Sequence, residues 1–177
     1  RACCLQLRDR LASRNSERDE QRRIKGIQRY IPDIARSLRG VLDSREAKYR
    51  VDEDGDIAGY WEGYLFWFLR LGEKREILQV RGTWGRAVDL AERERILELA
   101  NTWNAEKLWP KVYVRINDDG ALAVHSEHTV DYEHGATPKQ LDQHLSCAVS
   151  TSLGFFTSLD EAYPAAADAA KAEFESD

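Results

Sequence analysis

Apolar residues recur every three or four positions in some stretches of this chain and every second position in others, and the two periods predict different elements. In GIQRYIPDIARSLRGVLD (residues 26–43), Ile27, Ile31, Ile34, Leu38 and Leu42 form one helical stripe, with Pro32 where a first turn tolerates it. KYRVDEDGDIAGYW (48–61) sets Asp54-Gly55, a hairpin signal, between extended flanks. YLFWFLRL (64–71) is aromatic and branched, and a turn follows at Gly72 to Lys74. EILQVRGTW (76–84) alternates, with Leu78, Val80, Gly82 and Trp84 on one face.

The helical period then returns. Asp89 and Glu92 have the spacing of a capping box, with Asp in place of Ser or Thr. Ile96, Leu99, Ala100 and Trp103 form the buried stripe. Asn104 stands at the expected helix end, where Asn tolerates a left-handed exit, and Pro110 keeps the helix from resuming. KVYVRI and ALAVHSEHTV flank the NDDG loop (117–120) as a hairpin. Thr137-Pro138-Lys139-Gln140 starts a last helix that buries Leu141, Leu145, Ala148, Ser152, Phe155 or Phe156, and Leu159.

The order α-β-β-β-α-β-β-α, with short connections between strands, predicts an α+β fold. It is an antiparallel five-stranded sheet with helices packed on one face. The globular part is expected over residues 27–164. An arginine-rich helical or flexible segment precedes it (1–26), and an alanine-rich tail or loosely held helix follows (165–177).

One strand does not fit a single-layer sheet. In YLFWFLRL the odd positions Leu65, Trp67, Leu69 and Leu71 are apolar, and so are the even positions Tyr64, Phe66 and Phe68. Helices can bury one face, while the other is normally polar and wet. Tyr64, Phe66 and Phe68 are taken as the partner-binding face. A homodimer is the expected cover, and a foreign polypeptide is the runner-up.

Composition narrows the class. The 177 residues are 42% hydrophobic and 32% charged, which suits a soluble domain with a real core. No apolar run reaches a membrane span, and RACCLQLRDRL lacks the apolar region of a secretory signal. With no Met at its start, the chain reads as trimmed or processed. Cys3, Cys4 and Cys147 form no disulfide framework, so a reducing cytoplasm is expected. Residues 1–50 carry 14 Lys/Arg against 7 Asp/Glu, and the remainder 12 against 24. A basic front can be a nucleic-acid arm. Here its interspersed acids and lack of interleaved aromatics favour a solvated helix instead.

Chemical motifs are incomplete. DEDGD (52–56) has the acids of a calcium loop, but its glycine is misplaced and the glutamate at the twelfth position is absent. His125 and His128 point to opposite faces of a strand and do not share a metal easily. His144 and Cys147 lie one turn apart inside a helix, where a structural thiol is the simpler reading. RGTWGR lacks the phosphate-loop spacing, and no serine stands in a nucleophile elbow. Asn101 and Asn104 read as helix-end groups rather than a site. No catalytic, cofactor or metal residues are assigned.

YRVDEDGDIAGYWEG, ILQVRGTWGR and ANTWNAEKLWPKVYVRINDDGALAVHSEHTVDYEHGATPKQL together resemble the YbjN domain family in its actinobacterial form. The most specific pieces are the Asn-x-x-Asn helix end with WPKVYV, and VDYEHGATPKQL. The family is described as bacterial sensory transduction regulators without assigned catalytic residues. The resemblance implies a fold like that of type III secretion chaperones, which are often dimers that bind polypeptides. It therefore implies a non-enzymatic, protein-binding regulator or chaperone-like adaptor. A nucleic-acid-associated regulator using the basic front is the alternative.

Overall fold

The computed structural model describes residues 34–176. The expectations for the basic front, and for Ile27, Ile31 and Pro32, lie outside the described residues. In chain order the elements are α1 (Ile34–Ser44), β1 (Tyr49–Val51), β2 (Ile57–Trp61), β3 (Tyr64–Leu71), β4 (Ile77–Thr83), a 3-10 turn (Leu90–Glu92), α2 (Arg93–Glu106), β5 (Lys111–Ile116), β6 (Leu122–Asp131), α3 (Pro138–Ala162) and α4 (Pro164–Ser176).

The sheet has six strands, not five, in the order β1-β2-β3-β4-β6-β5, and every pairing is antiparallel. The count of five missed that both flanks of the Asp54-Gly55 turn pair with each other, Tyr49 opposite Gly59. The acids of DEDGD hold that turn: Asp52 accepts from the Asp56 amide at 2.8 Å, and Asp56 accepts from the Arg70 amide at 3.0 Å. A tighter turn, Glu62-Gly63 with φ of 52° and 78°, joins β2 to β3. Two positive φ values match the right-handed twist of a two-residue hairpin.

One face of the sheet is the core. α3 lays Leu141, Leu145, Ala148, Ser152, Phe155, Phe156 and Leu159 against it, and α1 closes one end with Ile34, Leu38, Val41 and Leu42. Gly82 sets how closely α3 approaches. A Cβ there would lie 2.6 Å from the Ser126 hydroxyl and 2.9 Å from the rings of both Phe156 and Phe66. Among the described residues, no helix is long and apolar enough to cross a membrane.

The helix ends follow local chemistry, with two corrections. At α3 the capping box forms: the Thr137 hydroxyl accepts from the Gln140 amide at 3.2 Å, and the Gln140 side chain accepts from the Thr137 amide at 2.9 Å. Thr137→Ala is expected to cost about 1 kcal/mol, measurable as a shifted urea midpoint with an unchanged slope. At α2 the expected box does not form. Asp89 instead caps the 3-10 turn through the Ala91 amide at 2.8 Å, and Glu92 accepts from the Tyr163 hydroxyl at 2.9 Å.

The end of α2 is the second correction. The helix runs past Asn104 to Glu106, and the exit at Lys107 is extended rather than left-handed. The Asn104 amide is used elsewhere. It accepts from the Val112 N–H at 3.0 Å and donates to the Val112 carbonyl at 2.9 Å, as a neighbouring strand would. Edge strand β5 is thus held against α2 and partly occupied. Trp103 is half-buried on Phe155, with ring centroids 5.1 Å apart. Trp103→Ala is expected to cost about 2–3 kcal/mol in a denaturant melt, less than full burial would imply.

Candidate protein-docking face

Side chains of a strand alternate between faces, so the helix layer has to choose one face of β3. It covers the even one: Tyr64, Phe66 and Phe68 are 5%, 0% and 1% exposed. Phe156 of α3 meets Tyr64 and Phe66 at centroid distances of 5.1 and 6.2 Å. Assigning these three residues to a partner is therefore corrected, because the core of the same chain buries them. The physical reason lies beside Phe66, whose neighbours across both pairings are glycines, Gly59 and Gly82. The space over Gly82 admits Phe156 of α3, and that over Gly59 is filled by the Trp61 ring of β2.

The face left open is the odd one. Leu65 stands between Tyr60 and Thr83, and Trp67 between Ala58 and Arg81. Leu69 lies opposite Gln79, and Leu71 opposite Ile77. Tyr60 is 58% exposed and Leu71 39%, while Leu65, Trp67 and Leu69 are half-buried. The Arg50 guanidinium sits 5.9 Å from the Trp67 ring.

Toward β5 the same face becomes charged. Lys111 pairs with Glu127 at 2.6 Å, Arg81 donates to the Gln79 side chain at 3.0 Å, and Thr83 meets the His125 ring nitrogen at 3.1 Å. An apolar half beside a paired polar half is the make-up of an interface core and its rim.

The core side holds two polar clusters that the sequence reading missed. In the first, the Asp160 carboxylate of α3 accepts from the Trp84 indole at 2.7 Å, the Tyr64 hydroxyl at 2.7 Å and the Arg86 guanidinium at 3.4 Å. Arg86 also lies 4.3 Å from the Tyr64 ring centroid and is 8% exposed. Burial, with the hydrogen bond to Asp160, pushes the Tyr64 hydroxyl up to about 12. These four groups satisfy one another, which describes a structural clasp rather than a reactive centre.

In the second cluster His128 and His144 stack at 4.5 Å, and the Tyr132 hydroxyl bonds the His144 Nδ1 at 2.7 Å. Burial lowers both imidazoles, His144 to about 4, with the adjacent His128 adding to the effect. Both rings are therefore neutral at pH 7. Glu127 and Asp131 alternate with His128 on β6 and stand on the opposite face of the sheet, so these groups do not converge on one pocket. His125 faces the open side with Tyr113, their centroids 5.4 Å apart.

The sequence model of the YbjN family, described as "Putative bacterial sensory transduction regulator", matches residues 35–161. The chain belongs to the YbjN family. No curated protein matches the sequence. Among solved structures, the fold is similar to that of YbjN, "a putative transcription regulator from E. coli", at a TM-score of 0.62 and 12% identity. That match covers 73% of this chain and 92% of the other. It is also similar to an uncharacterised protein from Methanothermobacter thermautotrophicus, at 0.51 and 11% identity, covering 70% and 94%. The HopA1-SchA chaperone-effector complex is a looser likeness, at 0.46 and 14% identity over 67% and 88%, too loose to bear on function. At these identities the YbjN fold is what is shared.

Proposed function

We propose that this YbjN-family chain is a non-enzymatic, cytoplasmic, protein-binding regulator or adaptor, and that it binds polypeptides on the open face of β2, β3 and β4. The observation that carries this reading is the two-sided apolar character of β3: the chain's own core buries Tyr64, Phe66 and Phe68, and Leu65, Trp67, Leu69 and Leu71 remain for something else. Their contiguity with Tyr60 and Ile77 makes one patch rather than scattered residues. A second copy of the chain is the first occupant we expect, because two such faces would each cover the other.

Light scattering across a dilution series tests this. The full chain should be dimeric at tens of micromolar, and Trp67→Glu should be monomeric and still folded. A wild-type monomer at that concentration would remove the homodimer. A second reading, a nucleic-acid-associated regulator, is favoured by the 14 Lys/Arg against 7 Asp/Glu of residues 1–50. Steep loss of DNA binding with rising salt would support it.

A further inference from the structure

The sheet ends on one side at β1, which is three residues long, and on the other at β5, which is six. Three observations agree on which residues of β5 aim their backbone outward. Asn104, on α2 and outside the sheet, takes both the N–H and the carbonyl of Val112. At the hairpin the Asn117 N–H donates inward to the Ala121 carbonyl at 2.9 Å. The Val124 carbonyl, opposite Val114, accepts from the Trp84 N–H at 3.0 Å and so turns away from β5. In an antiparallel pair both backbone groups of a residue face the same way, and the direction alternates along the strand. Val112, Val114 and Ile116 therefore present their N–H and carbonyl groups outward. Asn104 occupies the first of them. Among the described residues, no hydrogen bond reaches the outward groups of Val114 or Ile116.

The side chains set what can pair there. Val114 and Ile116 stand beside Val124 and Leu122 on the helix side of the sheet, and Ile116 is 52% exposed. Arg115 lies between them on the open face. It is exposed, its cross-strand neighbour is Ala123, and it has no ion pair among the described residues. Burial lowers the nearby His125 imidazole, and the charges of Arg81 and Arg115 lower it further. A second copy of the chain fits this edge poorly. Two β5 strands about a two-fold axis use both free residues only when Val114 of each faces Ile116 of the other. That register sets Arg115 directly against its own copy, like charge on like.

We propose that the outer edge of β5 accepts a strand from a foreign polypeptide, an extended segment with an acidic residue opposite Arg115 and an apolar residue on either side of it. The segment continues the antiparallel sheet. Backbone bonds to Val114 and Ile116 attach it, and its alternate side chains select it. Its apolar residues lengthen the rows Val124–Val114 and Leu122–Ile116. The edge lies outside the apolar patch of β2, β3 and β4, so the two docking sites can fail independently.

The test titrates a fluorescein-labelled peptide, Lys-Thr-Val-Glu-Val-Thr-Lys, into the full chain by anisotropy. It should bind saturably. Both valine N–H groups then point at β5 and that of the glutamate points away. N-methylation of either valine should therefore weaken binding about tenfold, and N-methylation of the glutamate should not. Arg115→Glu should weaken binding about fivefold, the size of a cross-strand charge pair turned from attraction to repulsion. A peptide with lysine in place of the glutamate should prefer that variant. No saturable binding would overturn the proposal. Binding that tolerates methylated valines would place the peptide on the open face instead and overturn the edge site. Equal affinity for wild type and Arg115→Glu would overturn the acidic preference. Light scattering on the same samples reads the other occupant: a dimer that the peptide dissociates would give the edge to a second copy and contradict the foreign strand.

Discussion

Asp160→Ala should destabilise the fold by about 3–5 kcal/mol, because it removes one partner of a buried ion pair and strands the other. Arg86 is 8% exposed, and its partner Asp160 also accepts from Trp84 and Tyr64 at 2.7 Å each. Without the carboxylate, three donors from β3 and the stretch after β4 lose their acceptor together, and the buried guanidinium has none in its place. Asp160→Asn, which keeps one acceptor oxygen but no charge, should cost less. The double change Asp160→Ala with Arg86→Met should recover part of the loss, since no uncompensated charge then remains. Urea melts of the four proteins decide it. A shift below about 1 kcal/mol for Asp160→Ala would mean that the clasp contributes nothing to stability.

The second large effect is on acid stability. His144 and His128 are buried and neutral, and the folded-state value of His144 is lowered to about 4. Above pH 6.5 both states hold neutral imidazoles, and this contribution to stability is fully present. Below 6.5 the unfolded chain takes up protons that the folded chain refuses, so stability falls until about pH 4, by about 3 kcal/mol for His144. His128 acts in the same direction. The His144 ring meets the Tyr132 hydroxyl and the His128 ring beside it, and neither supplies a negative charge to hold an imidazolium. His144→Phe should therefore flatten the slope of unfolding free energy between pH 6.5 and 5, whatever it does at pH 7.5. Parallel slopes for wild type and His144→Phe would contradict the assignment.

What could be read from the sequence was local. The stripe Ile34, Leu38 and Leu42, the Thr137–Gln140 box and the β5–β6 hairpin each depend on neighbours within a turn or two, and each formed. The face of β3 was not legible, because both parities are apolar and the choice belongs to α3, some ninety residues later. A signal did exist: Gly59 and Gly82 share parity with the buried set, and glycines within strands mark a close approach.

Asn104 shows the opposite case. Its type and position suit a helix exit, yet its amide serves the backbone of β5 across the loop. The Asp160 clasp joins positions 64, 84, 86 and 160, a spacing with no sequence signature. The sixth strand was hidden by its length, three residues, too short to show alternation.

The central claim is that the open face of β2, β3 and β4 docks polypeptides and that the helix layer does not. Its most direct test is a photoreactive benzoylphenylalanine placed at Leu69 on that face, compared with the same residue at Gln143, which is exposed on α3. The account predicts discrete cross-linked adducts, to a second copy or to another polypeptide, from position 69 alone, lost when Trp67→Glu is added. Adducts equally abundant from position 143, or none from position 69 in cells expressing the full chain, would contradict it.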